Sequence, residues 1–288
     1  MFDVFLIIIS MFLWGANWTA GKLISTNMSP NLLVFFRFVF TSLFFIPILL
    51  FTKQNMKMTK KSWIFMAISS ALMGLYQYLF FKGLETGLAG EGGILVTTLN
   101  PIFTFVLSAL LMRKQLNKFE CLGLFLGLGS GVFFLKLWSF DLVALSKGGT
   151  FEFLLASFIW ALVTILRPYI HTKSLPYTFY LFLLITPFMA MGSSVADLSA
   201  IFTQNSLFYI CLIQIAFLGT IVSSTGFFYI TQKRGAKRSS AFIFLVPFFA
   251  VLISYSVLGE LLSLTTILGG LLAILGMLVL QYSQRHNH

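Results

Sequence analysis

The chain has 288 residues, of which 58% are apolar and only 9% charged, with a mean hydropathy of +0.95 and a net charge of +11. A soluble domain carries roughly 25% charged residues, so this composition excludes a water-soluble globular fold, and it excludes a disordered chain more firmly still. The basic residues lie in short segments between apolar runs, so the positive charge reads as membrane topology, and no nucleic-acid partner is expected.

Ten apolar runs follow one another along the chain. They are Asp3–Leu23, Asn31–Phe51, Ser62–Lys82, Gly92–Met112, Phe119–Leu137, Thr150–Pro168, Tyr177–Asp197, Leu207–Thr231, Ser239–Leu258 and Leu264–Tyr282. A segment in lipid must satisfy its own backbone hydrogen bonds, which makes each run a helix. The runs lack the apolar–polar alternation of a transmembrane barrel. The first run has no basic leader and no small-residue cleavage site, so it reads as a retained helix. The expected fold is therefore an all-α integral membrane protein with ten transmembrane helices. Cys121 and Cys211 are too few for a disulfide framework.

Lys and Arg distribute unequally between the two sides. The loops after runs 2, 4, 6 and 8 hold Lys53, Lys57, Lys60, Lys61, Arg113, Lys114, Lys118, Arg167, Lys173, Lys233, Arg234, Lys237 and Arg238, and Arg285 in the tail joins them. The opposite side has Lys22, Lys82, Lys136 and Lys147, and Arg37 sits inside run 2. The positive-inside rule then predicts a multi-pass protein of the inner (plasma) membrane with both termini cytoplasmic.

An offset of 146 residues aligns the chain with itself: Trp14 with Trp160, Pro30 with Pro176, Phe36 with Phe182, Phe81 with Phe227, Pro101 with Pro247, Ser108 with Ser254 and Gly123 with Gly269. Each copy holds five runs, 1–142 and 147–288, and an odd number of crossings turns one copy upside down relative to the other. Loop charges agree: loop 2–3 is basic and its counterpart 7–8 is not, while loop 3–4 is poor in cations and loop 8–9 rich. Two inverted five-helix repeats are the usual build of secondary transporters, with the site near the midplane where the repeats meet.

The run Trp14-Gly15-Ala16-Asn17-Trp18 resembles the start of the EamA domain of the drug/metabolite transporter superfamily. So does the series Gly235-Ala236, Ser239-Ser240-Ala241, Pro247, Leu258-Gly259-Glu260-Leu261-Leu262 and Gly269, echoed in the first half by Gly83-Leu84, Asn100-Pro101 and Gly123. One departure is that Arg113-Lys114 stands where the second half has Gly259-Glu260. The resemblance covers almost the whole chain and implies the ten-helix exporter type, moving small metabolites, often by efflux of amino acids or drugs.

Several residues are candidates for lining a substrate site. Arg37 is a charge two turns inside a span, where burial costs roughly 2.5–3.5 kcal/mol on insertion scales, so it should face the bundle interior. There its guanidinium suits a substrate carboxylate or phosphate, though snorkelling or capping of carbonyls is the plainer role. Asn17 suits either interhelical bonding or substrate. Trp14 and Trp160 fall mid-span and suit aromatic walls or packing alike. Tyr76, Gln77 and Tyr78 in run 3, Ser223 and Thr225 in run 8, Thr164 in run 6 and Asn100 in run 4 are polar at mid-depth. Pro101 and Pro247 should interrupt runs 4 and 9 near their middles and act as hinges. Gly123, Gly127 and Gly131, with Gly269, Ala273 and Met277 opposite them in the repeat, predict close helix packing, and the same stripe suits a homodimer contact.

No Asp or Glu falls mid-span, and His171, His286 and His288 lie in a loop and the tail. No metal, cofactor, nucleotide-binding loop or catalytic triad is expected, so the chain does not read as an enzyme. The expected partners are the lipid bilayer and a small-molecule substrate. One interior cation among aromatics points to a secondary transporter for a small zwitterion or anion, an amino acid above all. Export is preferred through the resemblance alone. The alternatives are efflux of cationic or lipophilic drugs held on aromatic faces, or uptake of a metabolite.

Overall fold

The structure is a computed structural model, and it describes residues 2–111, 117–134, 148–191, 194–227 and 245–286. Arg113-Lys114, the junction between the expected repeats and the basic loop after run 8 lie outside the described residues.

Every apolar run carries helix over its described part, and no strand occurs among the described residues. The helices are α1 (Phe2–Ile24), α2 (Pro30–Thr52), α3 (Lys60–Thr86), α4 (Ala89–Leu111), α5 (Lys118–Phe134), α6 (Thr150–Leu166), α7 (Ser174–Ala190), α8 (Ser206–Phe227), α9 (Leu245–Leu258) and α10 (Leu264–His286). Among the described residues α1, α2, α3, α4, α6 and α8 are long and apolar enough to cross a membrane, and α7, α9 and α10 hold shorter apolar stretches. Large apolar side chains such as Phe51, Phe125, Leu128, Ile210 and Leu271 stand exposed on outer helix faces. A soluble monomer does not tolerate such a surface, whereas lipid matches it.

Local chemistry sets the ends. Thr59 caps α3 by accepting from the Ser62 N–H at 3.2 Å. Pro30 opens α2, a position where its missing N–H costs nothing. Asn205 caps α8 by accepting from the Phe208 N–H at 2.9 Å.

Run 7 departs from the single span expected over Tyr177–Asp197. It breaks at Leu184 into Ser174–Leu183 and Ile185–Ala190, and Asp197 belongs to a separate short helix, Val195–Ser199. Pro187 is the cause. It has no N–H to give the Leu183 carbonyl four residues back, and that carbonyl instead accepts the Thr186 hydroxyl at 2.7 Å. α4 runs continuously through Pro101, since one lost N–H bond does not undo a helix supported by neighbours. Pro247 sits buried in the first described turn of α9, and the turn before it, where an interruption was expected, lies outside the described residues.

The core joins α1–α4 to α6, α7 and α8, with Ala250 of α9 and Ala273 of α10 buried in it, and α5 lies at its edge against α10 and α4. Pairings recur with counterpart helices exchanged: α1 packs on α9 as α6 packs on α4, and α1 packs on α8 as α6 packs on α3. α2–α7, α4–α9 and α5–α10 also pack, each antiparallel. In α2–α7, Phe38 stacks on Phe182 with ring centroids 4.7 Å apart while Phe45 meets Phe179 at 6.3 Å. In α5–α10, Asn117 donates to Ser283 at 2.7 Å, and a Cβ on Gly276 would stand 2.7 Å from the Gly123 carbonyl. The glycine seam is thus used inside the chain at Gly123, while Gly131 faces open space.

Candidate functional site

α2 is apolar along its length except for Arg37, so the guanidinium has to be accommodated by whatever packs against that face. It is only 6% exposed. Nη1 donates to Gln77 Oε1 of α3 at 2.9 Å, and Nη2 donates to Thr220 Oγ1 of α8 at 3.3 Å. The Phe38 and Phe80 rings lie 5.4 and 5.8 Å from its central carbon. Nε is buried with no acceptor. Both hydrogen-bond partners of Arg37 are neutral, so its charge is bonded without being neutralised by them.

Thr220 reaches Arg37 because α8 changes pitch. Ser206–Ile213 is α-helical, and Gln214–Val222 is a π-helix. Such wide turns are rare and frequent at functional sites. Hydroxyls follow the wider step: Thr220 donates to the Ile215 carbonyl at 2.7 Å and Ser223 to Leu218 at 2.8 Å. Thr41, one turn after Arg37, donates to the Arg37 carbonyl at 2.9 Å and to Ala216 of the π stretch at 3.1 Å. From α1, Asn17 donates Nδ2 to the Gly219 carbonyl at 3.2 Å. Asn17 is 8% exposed, and its Oδ1 is buried without a partner. Glycine at 219 makes room for this contact, because a Cβ would occupy the place of the Asn17 amide and displace it. A charged donor and a neutral acceptor, both with unmet capacity, are thus anchored on consecutive residues, Thr220 and Gly219. A buried polar group left unmet costs about 1–3 kcal/mol, more when charged, so Arg37 Nε and Asn17 Oδ1 are the two costly atoms of this cluster.

Of the residues the sequence singled out, Arg37, Asn17 and Gln77 come together with this stretch of α8. Tyr76 is buried beside Gln77 but turns to Trp160, with ring centroids 5.3 Å apart. Trp14 instead meets Phe227 at 5.3 Å, so the two tryptophans serve separate helix pairs, α1–α8 and α3–α6. Tyr78 is half-buried. Asn100 ties α4 to α6 by donating to the Ser157 carbonyl at 3.3 Å. Thr164 is exposed and bonds its own helix at the Trp160 carbonyl, and Thr225 is exposed. Ser223 is buried and bonded within α8. Sequence reasoning missed Thr220, Gly219, Thr41 and Phe80. The Gly219-Thr220 pair inside the apolar eighth run, and Thr41 one turn from Arg37, were the available signals.

The profile of the EamA-like transporter family matches residues 1–136 and again 147–282. "Uncharacterized transporter YyaM" of Bacillus subtilis is 26% identical over 276 residues, covering 92% of this chain and 88% of its own. An "Uncharacterized transporter" of Archaeoglobus fulgidus is 22% identical over 276 residues, covering 94% of each. A crystal structure covering 99% of this chain and 98% of its own superposes with a TM-score of 0.57 at 16% identity, a likeness of fold alone. An all-helical apolar bundle with a buried, unneutralised arginine thus meets a family match over nearly its whole length: this chain belongs to the EamA-like transporter family and is a multi-pass membrane transporter.

Proposed function

We propose that the protein is a secondary transporter that exports a small zwitterion or anion with an apolar body, an amino acid being the simplest fit. The observation that carries this is Arg37, buried in contact with neutral partners and with Nε unmet. A buried cation without a counter-charge is costly, and a substrate carboxylate supplies the missing charge through charge-assisted hydrogen bonds. On this reading the unpartnered Asn17 Oδ1 would accept from the substrate's ammonium. A cationic cargo fits less well, since Arg37 would repel it.

Movement follows from two five-helix halves, 1–142 and 147–288, rocking about this site in alternating access. The exchanged helix pairings and the antiparallel packing of α2 on α7, α4 on α9 and α5 on α10 support an inverted repeat. The break in α7 and the π stretch of α8 are the natural bending points, being where regular helix bonding is already given up. The loop charges orient both termini toward the cytoplasm of a cell with its protein in the inner membrane, and the direction of export rests on the likeness to exporters of this family.

The test is flux into proteoliposomes. Arg37→Ala is expected to abolish amino-acid flux while the protein still purifies as a folded species. Wild-type flux in that variant would overturn the assignment. Cysteine accessibility at Gln54 and Asn205 checks the inversion separately: they should label from opposite faces, and labelling from one face would refute the two-half mechanism.

A further inference from the structure

The end of the bundle where α1 and α3 finish and α4 begins is sealed in two layers. One residue beyond Asn17, Trp18 packs on Phe80 and Phe153, with ring centroids 4.8 and 5.7 Å away, and all three are buried. Beyond this plug the α3–α4 hairpin turns through Gly87 and Leu88 alone. Each helix end of the hairpin meets the charge its dipole favours. Lys22, at the end of α1, donates to the carbonyls of Leu84 at 2.6 Å and Glu85 at 3.4 Å in the last turn of α3. Glu260, just past α9, accepts from the N–H groups of Ala89 and Gly90, both at 3.0 Å, at the start of α4. These are charge-assisted bonds, roughly twice as strong as neutral ones.

We propose that Glu260, supported by Lys22, is the latch of a gate that keeps the Arg37–Asn17 site closed at this end of the bundle. The proposal rests on the transporter reading above. Lys22 and the hairpin belong to the first half, so Lys22 holds the carbonyl end in place. Glu260 belongs to the second half, so its two bonds cross the junction that rocking would open. Access from this side requires Glu260 to release the α4 amides and the Trp18 plug to part. In the sequence, the 146-residue offset sets Arg113 and Lys114 opposite Gly259 and Glu260, and a cation has no acceptor to offer helix amides, so the first half does not repeat this pair. The loop charges make the latched end the outer one.

The test uses the full chain with Cys121→Ser, Cys211→Ser and a reporter, Thr19→Cys. Thr19 lies one turn short of Lys22, is 3% exposed, and its hydroxyl has no partner, so a thiol replaces it with little disturbance. A membrane-impermeant thiosulfonate is applied to protein reconstituted in known orientation. Labelling from the outer face should be slow, and Glu260→Gln should speed it about tenfold, the population change produced by about 1.4 kcal/mol. An unchanged rate in a folded Glu260→Gln protein, or equal acceleration from both faces, overturns the latch. Should that variant not fold, Glu260→Ala, which removes the carboxylate and its two bonds to the α4 amides altogether, reads the same gate with the same expectation. Labelling needs no substrate, so a failed latch is distinguishable from a failed transport assignment. Acceleration from the cytoplasmic face alone would uphold the latch and overturn the orientation given under the transport reading.

Discussion

Arg37 and Gln77 meet across α2 and α3 at 2.9 Å, with the guanidinium donating to the amide oxygen. Gln77 in turn keeps its Nε2 4.0 Å from the Met73 sulfur, a weak acceptor. The amide therefore aims one oxygen at the cation and has little else to hold it. The fork of Arg37 spans Gln77 and Thr220 at once, which a point charge cannot do. Arg37→Lys should keep the charge yet lose one of the two contacts. The expected outcome is a KM for anionic cargo raised about tenfold, the effect of about 1.4 kcal/mol, with folding retained. Concentration-dependent flux in proteoliposomes checks it.

Thr186 and Pro187 form a coupled pair in α7. Thr186→Val removes the only donor found on the Leu183 carbonyl and should cost about 1 kcal/mol. In a Pro187→Ala background the restored backbone N–H can take that carbonyl, so the same Thr186→Val change should cost much less. Melting temperatures of the four proteins in detergent measure the coupling. Additive effects would show that the break at Leu184 has another cause.

Asp197 carries a pH dependence outside the membrane spans. Its carboxylate accepts from the Ser194 N–H and from the Ser194 hydroxyl, both at 2.8 Å, in a capping box on Val195–Ser199. The backbone bond first, and the hydroxyl second, hold its pKa below the usual aspartate value. A lowered folded-state pKa means the contribution is present above the unfolded value and is lost as pH falls through the folded one. Amide-exchange protection over 194–199 should therefore hold at neutral pH and fall away below about pH 4. Asp197→Asn should remove that pH step.

Much of the fold was legible because a membrane span is a one-dimensional signal. α1 and α2 fall within a residue or two of their runs, Asp3–Leu23 against Phe2–Ile24 and Asn31–Phe51 against Pro30–Thr52. Arg37 was legible for the same reason, since a charge inside such a run stands out on cost alone. Pro101 and Pro247 drew attention through their repeat-related positions, while Pro187 breaks its helix because the Thr186 hydroxyl is there to take the freed carbonyl. Thr164 and Thr225 were legible only as polar atoms at mid-depth, and that depth is compatible with either face of a helix.

Composition and run length by themselves determined that this chain is a membrane-embedded helical bundle, because about 20 consecutive apolar residues have one stable state in lipid. They also marked which buried charge needed explaining. Tertiary structure alone decided what surrounds that charge: a π stretch of α8 carries Thr220 to Arg37 and Gly219 to Asn17 from about 200 residues away. Helix pitch at that point depends on which side chains pack across it, and residues so far apart in sequence share no periodicity from which their meeting could be read.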